Sequence, residues 1–127
     1  MNTAEDAHEV IAAVKYHPAG RRGLAAGTRA ALYDSHGTLA DHVKAADEAT
    51  LIAIQLEDQL AIDNIDEPLE IEDVDVFFIG PADLSQSMGY PRNPKAPAVA
   101  QAIERSFRKM VSARRTPGTP AVAEKCS

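Results

Sequence analysis

Apolar residues near the start of the chain recur at helical spacing. Ala7, Val10, Ile11 and Val14 share one face, and Thr3 followed by Asp6 has the form of a capping box. The spacing predicts a first helix over about Ala4 to Tyr16. His17-Pro18-Ala19-Gly20-Arg21-Arg22-Gly23 breaks it, and the small residues through Gly27 and Thr28 keep no period, so that stretch reads as a loop. Thr38 is placed to cap a second helix over about Leu39 to Glu48, with Leu39, Val43 and Ala46 on one face and charged residues opposite.

The pattern then changes. Thr50 to Leu56 carries no charge and no strict alternation, which predicts a strand covered on both faces and hence a parallel sheet. A short helix bearing Leu60, Ala61 and Ile65 is expected to end near Pro68, and a second strand runs from Val74 to Ile79, bracketed by Asp73 and Gly80-Pro81. Strand, helix, strand makes a βαβ unit. After a connection holding Gly89, Pro91, Pro94 and Pro97, the residues Val99, Ala102, Ile103, Phe107, Met110 and Val111 mark a long amphipathic helix. Residues 114–127 read as an irregular tail, with Ala121-Val122-Ala123 a truncated strand at best.

Length and charge narrow the function classes. The 127 residues suit one α/β domain, and they are too few for a complete (β/α)8 barrel, which takes roughly 250. Acidic residues outnumber basic ones 19 to 13, a net charge of −6, which argues against phosphate-neutralising surfaces and so against nucleic acid. Cys126 is the only cysteine, so neither a disulfide framework nor a thiolate metal cluster is available, and a cytoplasmic setting is expected. The start Met1-Asn2-Thr3-Ala4-Glu5-Asp6 is too acidic for a secretory signal, and no stretch approaches a membrane span, so no membrane partner is expected.

The candidate chemistry lies just beyond the two strands. Val76-Phe77-Phe78-Ile79-Gly80-Pro81-Ala82-Asp83-Leu84-Ser85 delivers Asp83 after one strand, and Glu57 follows the other. Active sites of parallel α/β folds gather at the carboxyl ends of strands. Two carboxylates there offer hard oxygen ligands, suited to Mg²⁺ or Mn²⁺ rather than zinc, with Co²⁺ a further option. They leave coordination positions for water and a chelating 2-oxo acid. Gln55, two residues before Glu57, shares its face, and the N–H groups of Ala82 and Asp83 open a helical turn able to receive a substrate carboxylate. Acids after strands also cap the next helix, so spacing alone leaves both readings open.

A wider pattern bears on the choice. Asn2-Thr3-Ala4-Glu5, Lys15-Tyr16 with Pro18, Gly20 and Arg22-Gly23, Gln55-Leu56-Glu57, Phe78 to Ser85, and Gly89-Tyr90-Pro91 occur in the order found in the HpcH/HpaI aldolases, which this chain resembles over nearly its whole length. The resemblance implies part of a (β/α)8 TIM barrel of parallel strands, roughly its central portion, as a single domain over 1–127. It implies a metal-dependent class II aldolase that cleaves 4-hydroxy-2-oxo acids to pyruvate and an aldehyde, working as a homo-oligomer. Glu57 and Asp83 match the metal ligands, Gln55 the glutamine beside the first, and Ala82 the backbone contact to the pyruvate carboxylate. Asp83 also stands on the substrate side and Arg22 matches a substrate-side loop; Arg29 and Tyr33 resemble residues lining the family's mouth, and a solvated loop is the equally simple reading of them.

The family's general-base histidine and substrate-binding arginine belong to strands ahead of the matched region, so the 127 residues alone are expected to be inactive. The alternative is a non-catalytic segment that binds metal and pyruvate, or only associates with other barrel segments. His8, His17, His36 and His42 follow no predicted strand and read as surface residues, and Ser85 and Ser87 have no partner histidine for nucleophilic catalysis. The acidic run Asp63 to Asp75 reads as a solvated edge.

Overall fold

The computed structural model describes residues 2–34 and 37–120, so His36, Cys126 and the segment Ala121-Val122-Ala123 lie outside the described residues. The chain forms two compact units, His8–Leu51 and a second made of Met1–Ala7 with Ile52–Ser127.

Helix α1 spans Ala4–Val14. The capping box read from the sequence is present: Asp6 N–H donates to Thr3 Oγ1 at 3.2 Å, and the Asp6 carboxylate accepts from the Thr3 N–H at 3.1 Å. Beyond α1 the backbone folds back, with Arg21 N–H donating to Ala12 O at 2.6 Å and Arg22 N–H to Lys15 O at 3.0 Å. Gly20 permits this return, because a Cβ there would stand 2.3 Å from Lys15 O. A 3₁₀ turn covers Arg29–Asp34 where a plain loop was expected, and helix α2 covers Leu39–Ala49 under a capping box of Thr38 and Asp41. Asp47 ties the end of α1 to α2, since its carboxylate accepts from the Tyr16 N–H at 3.1 Å and its carbonyl from Lys15 Nζ at 2.6 Å.

The second unit holds the sheet. Strands β1 (Ala53–Leu56), β2 (Val76–Ile79) and β3 (Thr116–Gly118) lie in the order β1-β2-β3, all parallel. Helices α3 (Gln59–Asp63) and α4 (Asp66–Leu69) connect β1 to β2, and α5 (Pro81–Ser87) and α6 (Pro97–Ser112) connect β2 to β3. Such crossovers are what parallel pairing requires. The core fills one side of the sheet with Ile54, Leu56, Phe77 and Ile79, joined by Leu84, Val99 and Met110 from the helices.

Two expectations need correction. The strands are not covered on both faces: burial alternates along β1, with Ala53 and Gln55 exposed, and along β2, with Val76 and Phe78 half-buried. The apolar run concealed this because Ala53, Val76 and Phe78 carry no charge to mark the open face. The stretch read as tail from residue 114 contains β3, whose Pro117 lacks an N–H and is tolerated because β3 lies at the sheet's edge. The acidic run Asp63 to Asp75 is the solvated edge expected, with each of its carboxylates exposed; two of them also bond, Asp75 accepting from the Ile52 N–H at 2.7 Å and Asp66 pairing with Lys109 at 2.5 Å.

Candidate functional site

The sheet register builds the site. Leu56 pairs with Ile79 as the last partners of β1 and β2, so the residues that follow, Glu57 and Gly80, leave the sheet at the same carboxyl edge. Gly80 N–H closes the ladder by donating to Leu56 O at 3.3 Å. Gln55 and Glu57 lie on one face, and Gln55 Nε2 donates to Glu57 Oε2 at 2.7 Å. Gly80 is the floor beneath this pair. A Cβ at residue 80 would stand 3.0 Å from Gln55 Nε2 and 3.2 Å from both Cβ and Oε2 of Glu57, closer than side chains ordinarily approach.

Pro81 occupies the first turn of α5, where a missing N–H costs nothing, and Asp83 lies in the same turn, exposed. The Leu84 N–H is bonded to Gly80 O at 2.9 Å, so Ala82 and Asp83 carry the amides ahead of it. Ser85 is fully buried and its hydroxyl donates to Ala82 O at 2.7 Å, which spends it on the backbone. Arg22 belongs to the other unit, with its guanidinium carbon 4.7 Å from the centroid of the Tyr16 ring. Tyr16 in turn meets His42, hydroxyl to Nε2 at 3.4 Å. His42 is thus half-buried and engaged, while His8 and His17 are exposed.

The structure therefore joins Gln55 to Glu57, sets Ala82 and Asp83 on the helix after the neighbouring strand, and holds Arg22 on an aromatic ring. No group of three or more His, Cys, Asp or Glu placed to hold a metal occurs among the described residues. Two residues of this edge make a bond that the sequence reading did not assign. Asp58 caps α3 by accepting from the Leu60 N–H at 2.8 Å, and Ser87 donates to the other Asp58 oxygen at 2.9 Å. Asp58 ahead of Leu60-Ala61 was a legible cap; its bond to a serine 29 residues on was not.

A family model described as HpcH/HpaI aldolase/citrate lyase matches residues 1–123. The chain belongs to the HpcH/HpaI family. A 2-keto-3-deoxy-L-rhamnonate aldolase from Klebsiella pneumoniae is 41% identical over 131 residues, covering 99% of this chain and 48% of its own length. Among solved structures, an HpcH/HpaI aldolase from Desulfitobacterium hafniense DCB-2 matches with a TM-score of 0.85 and 26% identity, over 98% of this chain and 48% of that one. An HpcH/HpaI aldolase/citrate lyase family protein from Burkholderia cenocepacia J2315 matches with a TM-score of 0.86 and 27% identity, over 95% and 48%. The chain spans about half the length of the curated relatives it matches.

The parallel strands and their helices are thus part of the TIM barrel of the HpcH/HpaI aldolases. In that fold the carboxyl ends of the strands, where Glu57 and Asp83 follow β1 and β2, carry the chemistry. No helix among the described residues is long and apolar enough to cross a membrane.

Proposed function

We propose that this chain supplies the metal- and pyruvate-binding rim of a class II aldolase, a carbon-carbon lyase that cleaves 4-hydroxy-2-oxo acids to pyruvate and an aldehyde. The observation that carries the reading is the Gln55–Glu57 hydrogen bond seated over Gly80 at the carboxyl edge of the sheet, beside the strand that leads to Asp83. Support for the substrate class comes from the Klebsiella relative, named for a 2-keto acid.

The residues fit a hard divalent cation, Mg²⁺ or Mn²⁺, with Co²⁺ also accommodated. Their donors are carboxylate oxygens, no cysteine or histidine stands among them, and the bare Cα of Gly80 leaves the Glu57 head group its space. Glu57 and Asp83 would hold the ion. Such an ion would supply Lewis-acid polarisation to the keto oxygen of a bound 2-oxo acid. Gln55 fixes the rotamer of Glu57 through its amide N–H. The N–H groups of Ala82 and Asp83 receive the substrate carboxylate, and Arg22, held against Tyr16, serves the substrate-side loop. The same reading carries a cytoplasmic, homo-oligomeric enzyme.

Calorimetric titration with Mn²⁺, with and without pyruvate, tests this. Wild type should bind Mn²⁺ and bind it more tightly with pyruvate present, and Asp83→Ala should lose more than about a hundredfold in affinity, since even residues behind the ligands cost ten- to a hundredfold. A wild-type protein that takes up neither would overturn the reading. One observation favours a second reading, binding without cleavage. All four histidines precede Thr50, so the segment that carries Glu57 and Asp83 contains none.

A further inference from the structure

Ser87 and Asp58 have no part in the ligand set proposed above, yet they join its two halves. Ser87 is the last residue of α5 and lies four positions after Asp83, on the same helix face. Asp58 directly follows Glu57. The Ser87 hydroxyl donates to Asp58 Oδ2 at 2.9 Å and accepts from the Gln59 N–H at 2.9 Å, while Asp58 Oδ1 accepts from the Leu60 N–H at 2.8 Å. One hydroxyl is therefore used as donor and as acceptor, both times toward the turn that carries Glu57.

Helix α5 is consequently tied to the end of β1 at two points. At its start Gly80 N–H bonds Leu56 O at 3.3 Å, and at its end Ser87 grips Asp58 and Gln59. Leu84 packs α5 into the core, and the bonds at its two ends set where the helix sits along the carboxyl edge of β1. Asp83 lies between the two ties. We infer that the Ser87–Asp58 bond is a clamp that fixes the spacing of Glu57 and Asp83, which makes Ser87 and Asp58 positioning residues for the cation site. The inference rests on the reading of that site given above.

A plain helix cap does not require this arrangement. The Asp58–Leu60 bond caps α3 without help from Ser87, and loss of the Ser87 hydroxyl would leave that bond in place while handing the Gln59 N–H, on an exposed residue, to water. The test uses that separation. Mn²⁺ affinity is measured by calorimetry for wild type, Ser87→Ala, Ser87→Thr and Ser87→Val, with the urea midpoint of each as a control on folding.

Ser87→Ala should bind Mn²⁺ about ten- to a hundredfold more weakly at an almost unchanged midpoint, and Ser87→Thr, which keeps the hydroxyl, should recover most of the loss. Ser87→Val, which has threonine's shape without the hydroxyl, should weaken binding by a similar factor, and it decides the matter should Ser87→Ala fail to fold. Wild-type affinity in Ser87→Ala, or in Ser87→Val if it is the only folded variant, overturns the clamp. Absence of Mn²⁺ binding in the wild type is a different result: it overturns the site itself, and the clamp with it.

Discussion

A methyl group at residue 80 would have to displace something. The backbone of Gly80 has φ −94°, which any residue adopts, so the demand for glycine comes from space and not from strain. The space is the one filled by Gln55 Nε2 and the Glu57 side chain, 3.0 and 3.2 Å from the position of a Cβ. Overpacking in a closed core costs about 1–3 kcal/mol. Here Glu57 is only half-buried and can swing outward, so Gly80→Ala should cost near the lower figure, about 1 kcal/mol. Its effect on the site should be larger, because the group that yields is the proposed ligand. We expect Mn²⁺ affinity to fall about tenfold in Gly80→Ala, with the urea midpoint falling by roughly 0.5 M, as about 1 kcal/mol implies at an m-value of about 2 kcal/mol/M. Equal Mn²⁺ affinity in the two proteins would show that the contact does not hold Glu57 in place. The contact itself was not legible in the sequence, where Gly80-Pro81 ended a strand and formed part of the segment resembling the HpcH/HpaI aldolases; it joins residues more than twenty positions apart, and period carries no such information.

Among the elements, the helices were the most legible because their signals are local. Thr3 and Asp6 cap α1, and Thr38 caps α2, where the sequence placed them. The cap of α2 also makes a pH prediction. The Thr38 hydroxyl donates to Asp41 Oδ2 at 2.7 Å and the Thr38 N–H at 2.9 Å, and these bonds, the hydroxyl's first, hold the Asp41 carboxyl below its ordinary value of 3.8. A depressed carboxylate pKa means that the cap contributes above the unfolded value and is lost as pH falls through the lower, folded one. Carbon-detected NMR should therefore find Asp41 titrating below 3.8 in wild type and returning toward it in Thr38→Val, with the first turn of α2 fraying at a higher pH in the variant. Identical titration curves would remove the assigned cause. The strands were legible in type but not in extent or facing. Thr50 to Leu56 shrank to Ala53–Leu56, and β3 was hidden by Pro117, because strand pairing is decided by a neighbour supplied from elsewhere in the chain. Ser106 shows the same limit: a serine on the core face of α6, it is fully buried, and its hydroxyl is satisfied by Ala102 O at 2.8 Å, a back-bond that makes a polar residue suitable for the core.

At the scale of the whole molecule, holding a substrate and cleaving it make different demands on the chain. Holding needs the carboxyl edge of the sheet, where Glu57, Asp83, Gln55 and Ala82 follow or end β1 and β2. Cleavage of a 4-hydroxy-2-oxo acid also needs a group that takes the proton from the 4-hydroxyl, and such a base contributes typically a hundred- to ten-thousandfold in rate. The described histidines, His8, His17 and His42, all fall in the unit His8–Leu51, and none follows a strand. If Glu57 and Asp83 hold a cation as proposed, neither is free to act as that base. The 127 residues assayed alone with 2-keto-3-deoxy-L-rhamnonate should accordingly release pyruvate at least about a hundredfold more slowly than the Klebsiella relative under the same conditions, while still binding Mn²⁺. Pyruvate release, followed by coupled reduction to lactate, measures the first quantity, and calorimetry the second. A rate matching the relative's would mean that a base is present among these residues after all. A slow rate with intact Mn²⁺ uptake would separate the binding rim from the proton-transfer group, and would place on different segments of the barrel two tasks that the intact active site performs together.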